Sequence, residues 1–194
     1  LGTRGFAGTV LWLLIPVGLM ILASKIAHNA GILVSILGGL LLMGVLLIIP
    51  FQQVWFAREN RFRAFIEIGP VCRLAGRAPF KFWLALSLTL VMAVPLFLLK
   101  IELTPAEITW LPALFFVVFG LPARLMTGWA IGRAEQREAS PNFLLRWFCR
   151  VAALGLALPF VFGYVVILFF TQYISWNGTL SLLEQHALLV PSPF

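Results

Sequence analysis

Few side chains in this 194-residue sequence could do chemistry, and their spacing sets most reactions aside. The seven acidic residues are all glutamates, and the only cysteines are Cys72 and Cys149. No CxxC and no Cys/His cluster exists, so neither a disulfide framework nor a structural zinc site is supported. Glu102 and Glu107 share one short connection and could be pictured as an acid/base pair. Nothing nearby supplies a nucleophile, a metal ligand or burial to shift a pKa, so catalysis is not expected there. Thr104-Pro105-Ala106-Glu107 instead has the spacing of a capping box. His28 and His186 would ligate a haem or metal only if the C-terminal tail folded back onto the first external loop; the ordinary expectation is two solvent-facing rings. The eighteen phenylalanines could contact pigments, quinones or lipids, with lipid-facing packing as the default, and no cofactor is identified. The chain therefore reads as a non-enzyme.

Arg124 is the charged residue set deepest within a predicted apolar span. It falls about 7.5 Å inside Trp129 at the helical rise of about 1.5 Å per residue, a depth from which a guanidinium can snorkel to the headgroups. The sharper alternative is a buried arginine paired with a backbone carbonyl or a bound anion, since ionisable groups within a membrane often mark function.

Composition sets the class. Hydrophobic residues make up 61% of the chain and charged ones 11%, against about 45–50% and about 25% in globular domains. The mean hydropathy is +1.01. A soluble core of this size could not hide that much apolar surface, and an all-α polytopic membrane bundle of about five transmembrane helices is expected. The +7 net charge comes from basic residues that flank apolar runs rather than form a soluble basic face. Membrane lipids with anionic headgroups, not nucleic acid, are the expected partners.

Five spans are read, at about 6–24, 32–50, 82–99, 110–130 and 147–170. The first is longer than the apolar core of a signal peptide and lacks a small-residue cleavage site; Pro16 is read as a tolerated kink within it. The chain opens on Leu1 rather than Met, which leaves room for upstream sequence. Gly38, Gly39 and Gly44 give the second span a small-residue face for close helix packing. Trp110 and Trp129 bracket the fourth span about 28 Å apart, near the hydrocarbon thickness. Asn177-Gly178-Thr179, in the tail, reads as a turn, and Leu180 to Val190 as a short surface helix.

The largest polar island is Pro50 to Trp83, which holds Arg58, Arg61, Arg63, Arg73, Arg77 and Lys81. Trp55, Phe62, Phe65 and Ile66 recur at helical spacing with Gln53, Asn60, Arg63 and Glu67 opposite. This predicts an amphipathic interfacial helix over about 52–68, ended by Gly69-Pro70, with Arg63 able to pair with Glu59 and Glu67. Trp55, Phe56, Arg58, Arg61, Phe62, Arg63 and Phe65 are the candidate partner or lipid interface. Putting this island, the N-terminus and the Arg124 to Arg150 region on the cytoplasmic side leaves only Lys25 and Lys100 outside, so the N-terminus is expected inside and the C-terminus outside.

A weak internal repeat is visible. Trp83 and Pro95 in the third span match Trp147 and Pro159 in the fifth, and Pro50 and Pro122 stand alike in the second and fourth. Such a pattern would make two parallel helical hairpins.

The residues FARENRFRAFIEIGPVCRLAGRAPFKFWLAL, followed by PLFLLKIELTP, resemble a family of bacterial, planctomycete-like multi-span integral membrane proteins described only as a domain of unknown function. The resemblance covers roughly Pro50 to Arg133. It implies a multi-span fold in the bacterial cytoplasmic membrane with a cytoplasmic amphipathic element, and carries no catalytic residues. Some look-alike members have a zinc-ribbon segment ahead of the membrane region, but no Cys cluster of that kind is present here. The expected function is an accessory or scaffold subunit of a larger membrane complex, with other membrane subunits as partners. The alternative is a small-solute or lipid transporter or channel, with Arg124, Ser87, Thr89 and Tyr164 as its thin polar path.

Overall fold

The computed structural model describes residues 2–26, 28–101, 110–137 and 143–174. The acidic connection with Glu102, Thr104 and Glu107, and the tail with Asn177 and His186, lie outside them, as does the His28 side chain. The described residues form an all-α bundle of six helices: α1 (Gly2–Ala23), α2 (His28–Glu59), α3 (Ile68–Arg77), α4 (Pro79–Ile101), α5 (Trp110–Glu135) and α6 (Phe143–Ile174). A 3-10 turn, Phe62–Phe65, lies between α2 and α3.

Three stretches are long and apolar enough to cross a membrane, counted among the described residues: Thr3–Ala23, Ala30–Glu59 and Phe143–Phe170. Their outer faces are aliphatic. Leu14, Leu33, Leu144 and Phe162 are exposed, and a continuous exposed apolar surface marks contact with lipid rather than water. Pro16, Pro50, Pro122 and Pro159 all sit within helices. Packed neighbours in a bundle compensate the carbonyl each one frees.

Packing has two centres. α1 lies along α2 in a hairpin, and α4 lies between α5 and α6, while α2 also touches α3, α5 and α6. The shared core runs through Leu42, Leu46 and Ile49 of α2, Leu86 and Leu90 of α4, and Val161 of α6. Phe51 and Phe82 join α2 to α4, with ring centroids 4.3 Å apart.

The predicted interfacial helix over 52–68 is corrected. α2 continues unbroken through Pro50 but stops at Glu59, where Asn60 takes φ 52°. Asparagine tolerates this left-handed conformation better than most residues, and it commonly ends helices. The chain then makes the 3-10 turn. Gly69-Pro70, expected to end a helix, instead falls in the first turn of α3, where the missing N–H of proline would be unpaired anyway. α5 likewise runs on to Glu135, past the predicted end of the fourth span at about 130.

Close approach at one glycine fixes the turn on the bundle. A Cβ on Gly8 of α1 would sit 2.6 Å from the Phe65 ring, whereas one on Gly18 would meet nothing within 4 Å. Gly8→Leu is therefore expected to overpack this contact, at a cost of about 1–3 kcal/mol. Thermal unfolding in detergent should show a lowered midpoint for Gly8→Leu and little change for Gly18→Leu; equal effects would contradict the contact.

Candidate functional site

The basic and aromatic residues of the Pro50 to Trp83 island gather at one end of the bundle with the start of α1, the end of α5 and the start of α6, whereas Ser87, Thr89 and Tyr164 are buried further along α4 and α6. Between Asn60 and Glu67 local backbone bonds reach the Arg61, Arg63 and Ile66 carbonyls, and others in the stretch take donors from side chains. Two side chains supply them. Gln52 is fully buried, and its Nε2 donates to the Ala64 carbonyl and, at 3.2 Å, to the Glu67 carbonyl. Trp12 Nε1, from α1, donates to the Phe65 carbonyl at 2.9 Å. Gln52 Oε1 is buried without a partner, so the amide is used through its donor half.

Around these bonds the aromatic residues turn inward. Phe56 and Phe65 are buried, with centroids 4.6 Å apart, and Trp12 and Trp55 pack against them. The expected exposed aromatic stripe is thus corrected: among Trp55, Phe56, Phe62 and Phe65, only Phe62 is exposed. The reversal at Asn60 turns Phe65 back over Gly8 instead of leaving it on a surface helix.

The basic residues face outward. Arg58 lies 5.7 Å from the Trp55 ring centre and pairs with Glu135, tying α2 to α5. Arg61 pairs with Glu59 at 2.7 Å, and Arg63 with Glu67 at 3.6 Å. The expected Glu59–Arg63 pair is replaced by Glu59–Arg61 because the helical register is lost at Asn60. Such exposed pairs contribute about 0–1 kcal/mol each, so they orient the basic rim more than they stabilise it. Lys81 lies 5.3 Å from the Trp129 ring centre, and Arg137 donates to the Arg77 carbonyl at 3.0 Å.

Arg124 is exposed and is also partnered. Its Nη1 donates to Gln53 Oε1 at 3.1 Å, Gln53 Nε2 donates to Thr9 Oγ1 at 3.0 Å, and Thr9 Oγ1 donates to the Gly5 carbonyl at 2.9 Å. This relay crosses α5, α2 and α1 at the level where α2 leaves its apolar run. The partner is a side-chain amide, not the backbone carbonyl or bound anion of the alternative reading.

Sequence reasoning missed Gln52, Trp12, Thr9 and Gly8. Gln52 carried a legible signal: Val45, Ile49, Gln52 and Phe56 fall on one helical stripe, and all four are buried. The others are defined only by contacts distant in sequence. Among the described residues no group of three or more His, Cys, Asp and Glu side chains comes together as a metal site would need.

No family model, curated protein or solved structure matches the chain.

Replacing Gln52 with leucine keeps the volume close but removes both donors, at about 1–3 kcal/mol for each buried carbonyl left unpaired. The expected outcome is faster tryptic cleavage after Arg61 and Arg63 in Gln52→Leu than in wild type, measured on detergent-solubilised protein. Unchanged cleavage would show that the turn is held without this amide.

Proposed function

We propose that the chain is a non-catalytic scaffold or accessory subunit of a membrane complex, crossing the bilayer five times with its N-terminus inside and C-terminus outside. The observation that carries this reading is the basic end of the bundle, whose turn is held by the Gln52 and Trp12 side chains. Buried side-chain bonds hold its backbone, its aromatic rings are spent on internal packing, and its arginines face outward. A surface of fixed shape and charge suits docking. Anionic headgroups and the polar flanks of other membrane subunits are the partners that fit it.

The topology has support of its own. Arg58, Arg61, Arg63, Arg73, Arg77, Lys81, Arg124, Arg133 and Arg137 lie on segments gathered at this end, as a single positive-inside face would require. Exposed aliphatic flanks on α1, α2 and α6 fit spans bathed in lipid, and the resemblance of Pro50 to Arg133 to bacterial membrane proteins favours the cytoplasmic membrane of a bacterium. The packing of α2 on α5 and of α4 on α6 suits a duplicated hairpin whose equivalent helices meet. A second reading, transport of a small solute or lipid, draws on the Arg124–Gln53–Thr9 relay, which places polar groups between three helices.

Extraction from the native membrane in mild detergent, followed by mass measurement, is expected to recover the chain with a stoichiometric membrane partner. A lone monomer across several detergents would contradict the scaffold reading. Arg124→Lys, which keeps the charge but loses the planar fork, is expected to leave assembly intact; loss of function with normal insertion would favour transport. Cys72, exposed on α3, should react with a membrane-impermeant maleimide only from the cytoplasmic side, and labelling from outside would overturn the topology.

A further inference from the structure

A groove of about 410 Å³ opens between α2, α3, α4 and α6, within the range of about 300–1,000 Å³ typical of small-molecule sites. Its walls are apolar along Gly44 and Leu47 of α2, Leu86 of α4, and Leu154 and Ala157 of α6. Leu154 is also 49% exposed, so the groove reaches the outer surface of the bundle. From Arg150 to Ala157 it follows α6 for about 10 Å, at about 1.5 Å per residue.

Charge is confined to one end. The Arg150 guanidinium lies against Gly76 in the last turn of α3, where any Cβ would collide with it. The carbonyl end of a helix carries partial negative charge and holds a cation in place. Yet Arg150 has no carboxylate or hydrogen-bond acceptor among the described residues, so the fork of five N–H donors that fits a phosphate is unspent. Trp83 lines the same groove, and its indole N–H is buried without an acceptor.

We propose that this groove binds one anionic phospholipid, its phosphate at Arg150 and an acyl chain laid along Gly44, Leu47, Leu86 and Leu154. The occupant follows from the two ends together. The positive end selects an anion, and the apolar remainder offers a free phosphate nothing but suits a hydrocarbon chain attached to one. A bilayer supplies both parts in one molecule at the right height. This inference rests on the membrane reading above but needs no protein partner, because the site is complete within one chain.

The test is native mass spectrometry of the purified full chain in detergent, titrated with phosphatidylglycerol and with phosphatidylcholine of identical acyl chains. Wild type is expected to hold one phosphatidylglycerol with about tenfold preference, the equivalent of about 1.4 kcal/mol. Arg150→Gln should bring phosphatidylglycerol down to the phosphatidylcholine level. Gly44→Leu should weaken both lipids, since a Cβ there meets nothing within 4 Å and the added side chain fills the groove without disturbing the fold. Lys25→Gln, whose charge is exposed in the α1–α2 turn at the opposite end of the bundle, should change neither. Equal binding of the two lipids by wild type, or undiminished preference in Arg150→Gln, would overturn the proposal. Neither result bears on the scaffold reading, which stands or falls on a co-purifying subunit.

Discussion

The basic end of this bundle depends on one buried amide. Gln52 stands on a helical stripe with Ile49 and Phe56, where an apolar residue would ordinarily sit, and its Nε2 serves two backbone carbonyls of the following turn. A chain that leaves an apolar span and folds back on the bundle carries backbone groups into a place where water is scarce. Each group left unpaired there costs about 1–3 kcal/mol. Gln52 and Trp12 remove that cost for Ala64, Phe65 and Glu67. With the turn fixed, Phe65 lies on Gly8, α3 is directed across α2, α5 and α6, and its last turn arrives at Gly76 beneath Arg150.

The helices were legible in the sequence because a membrane-compatible run announces itself by length and apolarity. α1 and the apolar part of α2 fall close to the predicted spans, and the continuation of α2 past Pro50 follows from its amphipathic pattern. The turn was not legible. Helical spacing of Trp55, Phe62 and Phe65 extends across Asn60 as though nothing intervened, and a period cannot reveal that one residue takes a positive φ. Gly69-Pro70 misled for a related reason: the same pair can close one helix or open another, and only the register of the preceding turn decides which.

The candidate site was half visible. The arginines of the Pro50 to Trp83 island do face outward, but the aromatic residues between them are core, not surface. Arg124 stood out as a charge in an apolar run, whereas its partner Gln53 and the further link to Thr9 are separated from it by most of the chain. In the sequence Arg150 is only one more charge at the end of the Arg124 to Arg150 region. What distinguishes it is the bare glycine beneath its guanidinium and the apolar groove beside it, both products of helix packing. A turn held by buried side-chain bonds at one end and apolar flanks along the helices are the features on which the proposed scaffold and lipid-binding readings draw.

Hydrogen–deuterium exchange of residues 60–78, with the chain reconstituted in lipid nanodiscs, tests the locked turn most directly. Buried bonds from Gln52 and Trp12 and the packing of α3 call for the amides of Ala64, Ile66, Ile68 and Val71 through Leu74 to be protected to a degree comparable with the last turns of α2. Exchange of this stretch at the rate of an unstructured peptide, while α2 stays protected, would contradict it.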